Sequence, residues 1–258
     1  MSNLDEGRDN IVYAPHPPLT RYYEREEDRS GWLTQIFNKT APDYDRMESI
    51  LGLGTGSLYR RHSLVQAGLK PGMSLLDVGV GTGLVARQAA HILGDPTLVT
   101  GVDPSVGMLH SAKLPAGIKL IEGRAERIPL PDASFDFLSM GYALRHISDL
   151  SLAFTEFSRV LKPGGKLCIL EITRPQGKIQ SALIKTYLHG IVPTLAKLMA
   201  REKDTSLLWR YYWDTIEACA SPESVMNTLT SVGFVNVRRT VDLGIFSAYL
   251  AQKPEESL

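Results

Sequence analysis

Apolar and polar positions alternate along the middle of the chain in a pattern typical of an open parallel sheet. Short apolar runs with the length of buried strands lie near residues 73–79, 98–103, 118–122, 135–140 and 165–172. Between them, apolar positions recur with helical spacing over residues 84–93, 105–112 and 150–161. Strands that alternate with helices form βαβ units with parallel strands and right-handed crossovers, so we expect an α/β fold.

The segments on either side of this alternation predict further elements. Residues 32–68 have helical patterning, which Pro42 and a glycine cluster at 52–56 interrupt. After another helix at 222–232, strand-like runs at 234–241 and 246–251 predict a terminal hairpin. The predicted architecture is therefore a seven-stranded, mostly parallel sheet with helices on both faces and an N-terminal helical segment.

Residues 176–220 form an insertion that is rich in apolar and aromatic residues. Ligands of such sheets bind at the carboxyl edge of the strands, so a helical insertion predicts a lid that contacts the substrate. An extra structural layer or a dimer face is the alternative. The candidate substrate contacts are four aromatic side chains, Tyr187, Trp209, Tyr212 and Trp213.

Residues 77–83 read Asp-Val-Gly-Val-Gly-Thr-Gly and join a predicted strand to a predicted helix. Glycines at alternate positions allow a tight turn and let a ligand lie against bare main chain. A dinucleotide fingerprint would need glycine where Leu84 stands, and the Lys-Ser/Thr pair of a phosphate-binding P-loop is absent. The open alternatives are another nucleotide-like ligand and a turn without any ligand.

Asp103 ends the second predicted strand, about 20 residues beyond the glycine turn. A carboxylate at this position can accept hydrogen bonds from both hydroxyls of a ribose. Alternatively, Asp103 caps the helix that starts near Pro104 and Ser105.

The glycine turn resembles motif I of class I S-adenosylmethionine (SAM) dependent methyltransferases. Other segments are similar to the ubiquinone/menaquinone C-methyltransferase family, and the resemblance covers roughly residues 32–252. They include the Tyr44-Asp45 pair within residues 37–47, the segments 123–136 and 159–167, and the pairs Val192-Pro193 and Gly233-Phe234.

This resemblance implies a Rossmann-like methyltransferase sheet with SAM as the cofactor. It implies a hydrophobic small-molecule acceptor with a phenol, quinol or enol group, methylated on carbon. Methylation of an oxygen in a secondary metabolite is the first alternative; a SAM-binding scaffold or cyclising catalyst is the second. The expected cofactor-binding residues are Tyr44, Asp77, Gly79, Gly81, Gly83, Asp103, Pro104, Met108, Ala125, Met140 and Tyr142.

The chain departs from the family pattern at three places. Arg124 stands where the family usually has Asp or Asn, and arginine cannot accept a hydrogen bond from an adenine amine. His146 replaces an asparagine after the fourth strand, and residues 217–222 replace an Arg-Met-His-Pro stretch. The last two changes put a quinone substrate in doubt and leave the expected SAM site unchanged.

His146 and Arg145 are the candidate catalytic residues. A phenol, quinol or enol that must lose a proton needs a base, and histidine titrates near neutral pH. Arg145 is expected to orient an acceptor oxygen. The alternatives are a structural histidine at a helix start and a surface arginine.

The composition of the chain limits the kinds of molecule that it is expected to bind. The 28 basic and 28 acidic residues give a net charge of zero, which argues against a nucleic-acid substrate. Cys168 and Cys219 have no metal-binding spacing, so no metal is expected. We expect a polar arm over residues 1–30, one methyltransferase domain over 31–258 and no transmembrane segment. Without a signal-peptide pattern the prediction is a cytoplasmic protein, with a homodimer as an open alternative.

Overall fold

The computed structural model describes residues 13–51, 55–175 and 177–255. In this part of the chain a seven-stranded sheet has the order β3-β2-β1-β4-β5-β7-β6. All strands are parallel except β7, which runs antiparallel to both of its neighbours. The strands are β1 (Leu75–Val78), β2 (Val99–Asp103), β3 (Lys119–Glu122), β4 (Phe135–Gly141), β5 (Leu161–Ile172), β6 (Val235–Asp242) and β7 (Phe246–Gln252). The predicted α/β architecture is confirmed.

Helices cover both faces of this sheet. α5 and α9 pack on one face, and α2 and α3 pack on the other, so each face has its own apolar core. The central strand β1 is buried along its whole length, which explains its continuous apolar run. The helices are α1 (Glu26–Leu51), α2 (Gly56–Gln66), α3 (Leu84–Leu93), α4 (Val106–Ser111), α5 (Leu150–Val160), α6 (Lys178–Lys185), α7 (Val192–Met199), α8 (Thr205–Ala218) and α9 (Pro222–Ser231).

Pro42 does not interrupt the N-terminal helix, contrary to the sequence-based expectation. α1 continues through it from Glu26 to Leu51. A proline inside a helix costs about 3 kcal/mol because it removes a hydrogen bond and crowds the preceding turn. Burial of Ile36, Ala41 and Met47 along α1 offsets this cost. Residues 52–54 of the glycine cluster lie outside the described residues.

The N-terminal segment packs on the domain where the structure describes it. The Leu150 amide donates to the Tyr13 carbonyl over 2.9 Å, and the Ala220 amide donates to the Pro15 carbonyl over 2.6 Å. His16 and Tyr23 are buried. The predicted boundary at residue 30 falls inside α1, because α1 already begins at Glu26. Residues 1–12 of the predicted arm lie outside the described residues.

The insertion is helical and lies against α1. α6 and α7 are joined without a break by a π-helix, Thr186–Ile191, and α8 follows them. Leu208, Trp209 and Tyr212 of α8 form an apolar cluster with Ile36 and Met47 of α1 and with Val192 and Ala196 of α7. Within the described residues, no helix is both long enough and apolar enough to cross a membrane.

Candidate active site

A large cavity opens at the carboxyl edge of β1, β2 and β4, with a volume of about 1080 Å³ that includes space open to solvent. This is the edge at which ligands of doubly wound sheets bind. α1 and α8 close the cavity from above, with Phe37 and Tyr212 in its lining. It therefore has an end beside the glycine turn and an end beneath the helices.

The glycine turn forms the floor of the first end. Gly79 and Gly81 line the cavity and have positive φ angles of 68° and 54°, which glycine adopts without strain. A Cβ atom on Gly81 would have no neighbour within 4 Å, so this backbone is open to a ligand. Gly83 does not line the cavity. It caps α3 with φ 88°, and a Cβ there would lie 2.5 Å from Leu114, so its role is in packing.

Asp103 lies at the rim of this floor, where β2 ends. Its Oδ2 accepts the Gly81 amide and its Oδ1 accepts the Ser105 amide, both at 2.8 Å. Each oxygen keeps a lone pair for a further donor. Burial raises the pKa of Asp103 to about 6, and the two amide hydrogen bonds oppose this rise. The helix α4 is capped by Ser105, whose hydroxyl accepts the Met108 amide.

Asp77 is the second buried carboxylate of the cavity. The Ser139 hydroxyl donates to its Oδ1 over 2.8 Å, whereas its Oδ2 forms no hydrogen bond of good geometry with the described residues. The Ala86 amide is near enough to the carboxyl to lower its pKa, as the Ser139 hydroxyl does. Burial raises the pKa of Asp77 to about 7. A buried carboxylate oxygen without a donor is costly, so this site suits a ligand that brings a positively charged donor. SAM carries an ammonium group, which suits Asp77, and a ribose, whose hydroxyl groups suit Asp103.

The remaining predicted cofactor residues all line the cavity: Tyr44, Pro104, Met108, Ala125, Met140 and Tyr142. Tyr142 has a positive φ of 60°, which is strained for this residue type, and Arg60 lies 5.3 Å above its ring. Arg124 also lines the cavity, but its guanidinium donates to Ser30 and, over 3.4 Å, to Ser148.

One face of α1 forms much of the second end. Ser30, Leu33, Thr34 and Phe37 line the cavity at the spacing of a single helical face. They were not among the predicted site residues. The periodicity was visible in the sequence, but an apolar helical face more often packs into a core, so it indicated no ligand.

Tyr44 and Tyr212 meet at the boundary between the two ends, and their hydroxyls are hydrogen-bonded to each other. Burial raises the pKa of both phenols, well above the usual value for Tyr44. Both hydroxyls are therefore protonated at neutral pH. Since one donates to the other, the pair keeps one O–H group that can donate to a ligand.

His146 faces the second end from the turn after β4. Its ring packs edge-on against Phe37 at 5.3 Å and stacks on Tyr211 at 5.7 Å between ring centres. Both ring nitrogens are buried, and neither has a hydrogen-bond partner among the described residues. Burial holds the pKa of His146 well below 6.5, and the nearby charges of Arg145 and Arg29 lower it further. The imidazole is therefore neutral at pH 7 and can accept a proton.

Arg145 does not line the cavity, and it is fully buried rather than a surface arginine. Its guanidinium pairs with Glu171 of β5 and lies 4.2 Å from the centre of the Tyr212 ring. A direct contact with an acceptor oxygen would require it to leave this buried ion pair. The geometry instead lets Arg145 fix the position of Tyr212.

The insertion contributes one of its four predicted contacts to the cavity. Tyr212 lines it, whereas Trp209 packs behind Tyr44 and Tyr212. Trp213 is fully buried outside the lining, and Tyr187 lies on the outer surface. Neighbouring residues of a helix point in directions about 100° apart, and on α8 this turns Trp213 away from the cavity that Tyr212 lines. No cluster of side chains in the described ranges has the makeup of a metal site.

Comparison with known proteins matches this chain to a methyltransferase family. The profile of the ubiE/COQ5 methyltransferase family matches residues 24–253. The ubiquinone/menaquinone biosynthesis C-methyltransferase UbiE of Shewanella sediminis is 28% identical over 244 residues, covering 92% of this chain and 94% of that protein.

Solved structures show the same fold. A SAM-dependent methyltransferase of Thermotoga maritima, described as a possible histamine N-methyltransferase, has a TM-score of 0.59 at 22% identity, over 85% of this chain and 98% of its own. Phosphoethanolamine N-methyltransferase 2 of Haemonchus contortus, in complex with SAM, has a TM-score of 0.56 at 20% identity, over 77% of this chain and 53% of its own.

Proposed function

This chain belongs to the ubiE/COQ5 methyltransferase family and is a SAM-dependent methyltransferase, and we propose that it methylates a hydrophobic phenol, quinol or enol on carbon. The 28% identical relative from Shewanella sediminis is named as a C-methyltransferase of quinone biosynthesis, which supports carbon as the methylated atom. The acceptor class is proposed from the chemistry of the cavity's second end.

We assign the end beside the glycine turn to SAM, which supplies the sulfonium methyl group when bound. Asp103 would accept hydrogen bonds from the ribose hydroxyls, since both of its oxygens keep a lone pair. Asp77 would pair with the ammonium group through the oxygen that lacks a donor. Met108, Met140 and Tyr142 offer apolar walls to the rest of the cofactor.

We assign the end beneath α1 and α8 to the acceptor. Leu33 and Phe37 offer apolar surface there, which suits a ring better than a charged substrate. The free O–H group of the Tyr44–Tyr212 pair can donate to an acceptor oxygen. Closed between helices, this end excludes water and aligns the reactants, and alignment alone is worth about 7–11 kcal/mol in well-oriented systems.

His146 is the proposed base for the acceptor hydroxyl. A phenol has a pKa of about 10, and the imidazole titrates below its ordinary value of about 6.5. Complete proton transfer before methylation is therefore unfavourable. The hydroxyl proton would pass to His146 as the ring carbon takes the methyl group, with S-adenosylhomocysteine as the leaving group. The imidazolium would then return this proton to the acceptor oxygen. The neutral imidazole would take the proton of the methylated ring carbon and release it to solvent, which restores the aromatic ring and its hydroxyl group.

The single observation that carries this proposal is the placement of His146. A neutral imidazole with two unpartnered buried nitrogens lines an apolar cavity end, next to a phenol pair that can donate. The imidazole offers one acceptor nitrogen and one N–H donor to a small hydroxylated ring, and the tyrosine pair offers a further O–H donor. Phe37 packs beside both Tyr44 and His146.

Identification of the methylated product tests the proposal. The protein is incubated with SAM that carries an isotopically labelled methyl group and with a panel of hydrophobic quinols, phenols and enols. We expect S-adenosylhomocysteine together with a product whose labelled methyl group is bonded to carbon, as located by NMR. A methoxy product would move the assignment to oxygen methylation. Transfer only to amines or to charged substrates would contradict the proposed acceptor class.

A further inference from the structure

The outer face of the helical insertion is apolar and uncovered. α6, the π-helix and α7 form one unbroken helical run from Lys178 to Met199. Its exposed apolar side chains include Ile179 and Leu183, exposed by 79% and 65%, and Ile191 and Leu198, exposed by 48% and 77%. Spacings of four and seven residues place each pair on one helical face. We call these four residues the outer strip.

The inner face of the α7 part of this run is also apolar, and it is already covered. Val192 and Ala196 are buried in a cluster with Leu208, Trp209 and Tyr212 of α8. A helix that is apolar on both faces is normally enclosed on both. A single exposed leucine needs no explanation, but a row of them along one helical run indicates a binding surface.

The charge of the run indicates what covers the strip. Residues 178–199 contain three lysines and no acidic residue, although the whole chain has a net charge of zero. Lys185 pairs with Glu217 over 3.3 Å. Lys178 and Lys197 form no ion pair within the described residues, so two positive charges beside the strip remain unneutralised.

These charges argue against a second copy of the chain as the occupant. In a twofold dimer the same patch would face itself, and its lysines would approach like charges. A partner with negative charge at its surface and an apolar interior would contact both the lysines and the apolar side chains of the strip. An interfacial helix lies in the headgroup region of a bilayer in this way, with apolar side chains inserted and lysines on anionic headgroups.

We propose that the outer strip docks the protein on an anionic membrane surface. The hairpin between β6 and β7 extends the contact, since Leu243 at its turn is 86% exposed and the Gln180 side chain of α6 lies near Gly244. Docking brings the membrane next to α8, whose Tyr212 lines the cavity. Docking of the outer strip on a membrane is independent of which acceptor is methylated.

Vesicle co-sedimentation of the full-length protein tests the proposal. Vesicles of phosphatidylcholine alone are compared with an equimolar mixture of phosphatidylcholine and phosphatidylglycerol. We expect binding to the anionic vesicles that weakens at high salt. Replacing Lys178 and Lys197 with glutamine should weaken this binding by roughly 25-fold, about five-fold for each lysine near the surface.

The apolar contribution is tested with Leu183→Glu combined with Leu198→Glu. The matched control is Leu58→Glu combined with Leu152→Glu, because Leu58 and Leu152 are 70% and 57% exposed on α2 and α5. The first pair should abolish vesicle binding and the second should preserve it, with circular dichroism and SAM affinity unchanged in both. A wild-type protein that stays in the supernatant with both kinds of vesicle would overturn the proposal. So would a wild-type dimer that only the first pair converts to monomers.

Discussion

Asp77 and Asp103 are buried carboxylates whose pKa values lie near neutrality, at about 7 and about 6. Burial disfavours their charged forms in the free protein. The positive charge and the hydroxyl donors of SAM favour the ionised forms, so SAM binding should release protons. Protonation of Asp103 removes a charged acceptor, and SAM affinity should therefore fall as the pH falls through about 6.

The variant Asp103→Asn tests whether the charge of Asp103 contributes to SAM binding. A hydrogen bond to a charged group is worth roughly 1.5–3 kcal/mol, so calorimetry should show SAM affinity at pH 8 reduced about ten-fold or more. The wild type should lose affinity between pH 7 and 5, and the variant should lose less. Asp132→Asn is the control, since Asp132 is exposed and pairs with Arg159. Equal SAM affinity in wild type and a folded Asp103→Asn would remove Asp103 from the cofactor site.

The position of Asp103 could be predicted from the sequence because it depends on local rules. An acid at the end of the strand after a glycine turn has a fixed position relative to that turn in a parallel sheet. The environment of Arg145 could not be predicted in this way. Its partner Glu171 is 26 residues later, on a strand that becomes a neighbour only in the folded sheet. Side-chain pairing of this kind depends on tertiary structure.

At the scale of the elements, apolar periodicity predicted α3 and α9 almost to the residue, because each buries one face against the sheet. It failed at Pro42, where packing of α1 outweighs local propensity. It also predicted the helical insertion correctly but not which face of α8 lines the cavity. The orientation of α8 is set by its contacts with α1 and α7, which are distant in sequence.

The variants Tyr212→Phe and Trp213→Phe distinguish a side chain of α8 that contacts the cavity from one that only packs in the core. Loss of the Tyr212 hydroxyl removes one hydrogen bond that is available to the acceptor, so its apparent KM should rise about two-fold to ten-fold. SAM affinity should stay unchanged. Trp213 is buried outside the cavity, so Trp213→Phe should lower the melting temperature without a selective change in KM. The two KM values and the two melting curves check this; a selective KM effect in Trp213→Phe would contradict the assignment.

In the folded molecule as a whole, one buried network joins five parts of the chain. Arg145 of the turn after β4 pairs with Glu171 of β5 and lies over the Tyr212 ring of α8. Arg29 of α1 donates to the Arg145 carbonyl over 2.8 Å and contacts His16 of the N-terminal segment at 2.9 Å. The helical insertion, the sheet and the N-terminal segment should therefore unfold together.

Removing one partner of the Arg145–Glu171 ion pair should lower the free energy of unfolding more than removing both partners. Arg145→Met leaves Glu171 buried without its partner, and such changes typically destabilise by about 3–5 kcal/mol. The double variant Arg145→Met with Glu171→Leu should recover a large share of that loss, because no buried charge remains unpaired. Urea unfolding curves of the wild type, the two single variants and the double variant measure this. Additive losses in the double variant would show that the pair is not coupled.

The SAM site and a neutral base share one cavity, and pH–rate profiles of wild type and His146→Gln on the same acceptor are the decisive test of this arrangement. General-base assistance is typically worth about 10²–10⁴ in rate. We predict a wild-type rate that rises with pH through a step below 6.5, because burial lowers the pKa of His146 and only the neutral imidazole accepts a proton. With SAM saturating, so that titration of Asp103 does not contribute, the step should disappear in His146→Gln and turnover should fall by that factor, with SAM affinity unchanged. Profiles of equal height and shape in the two proteins would contradict the claim.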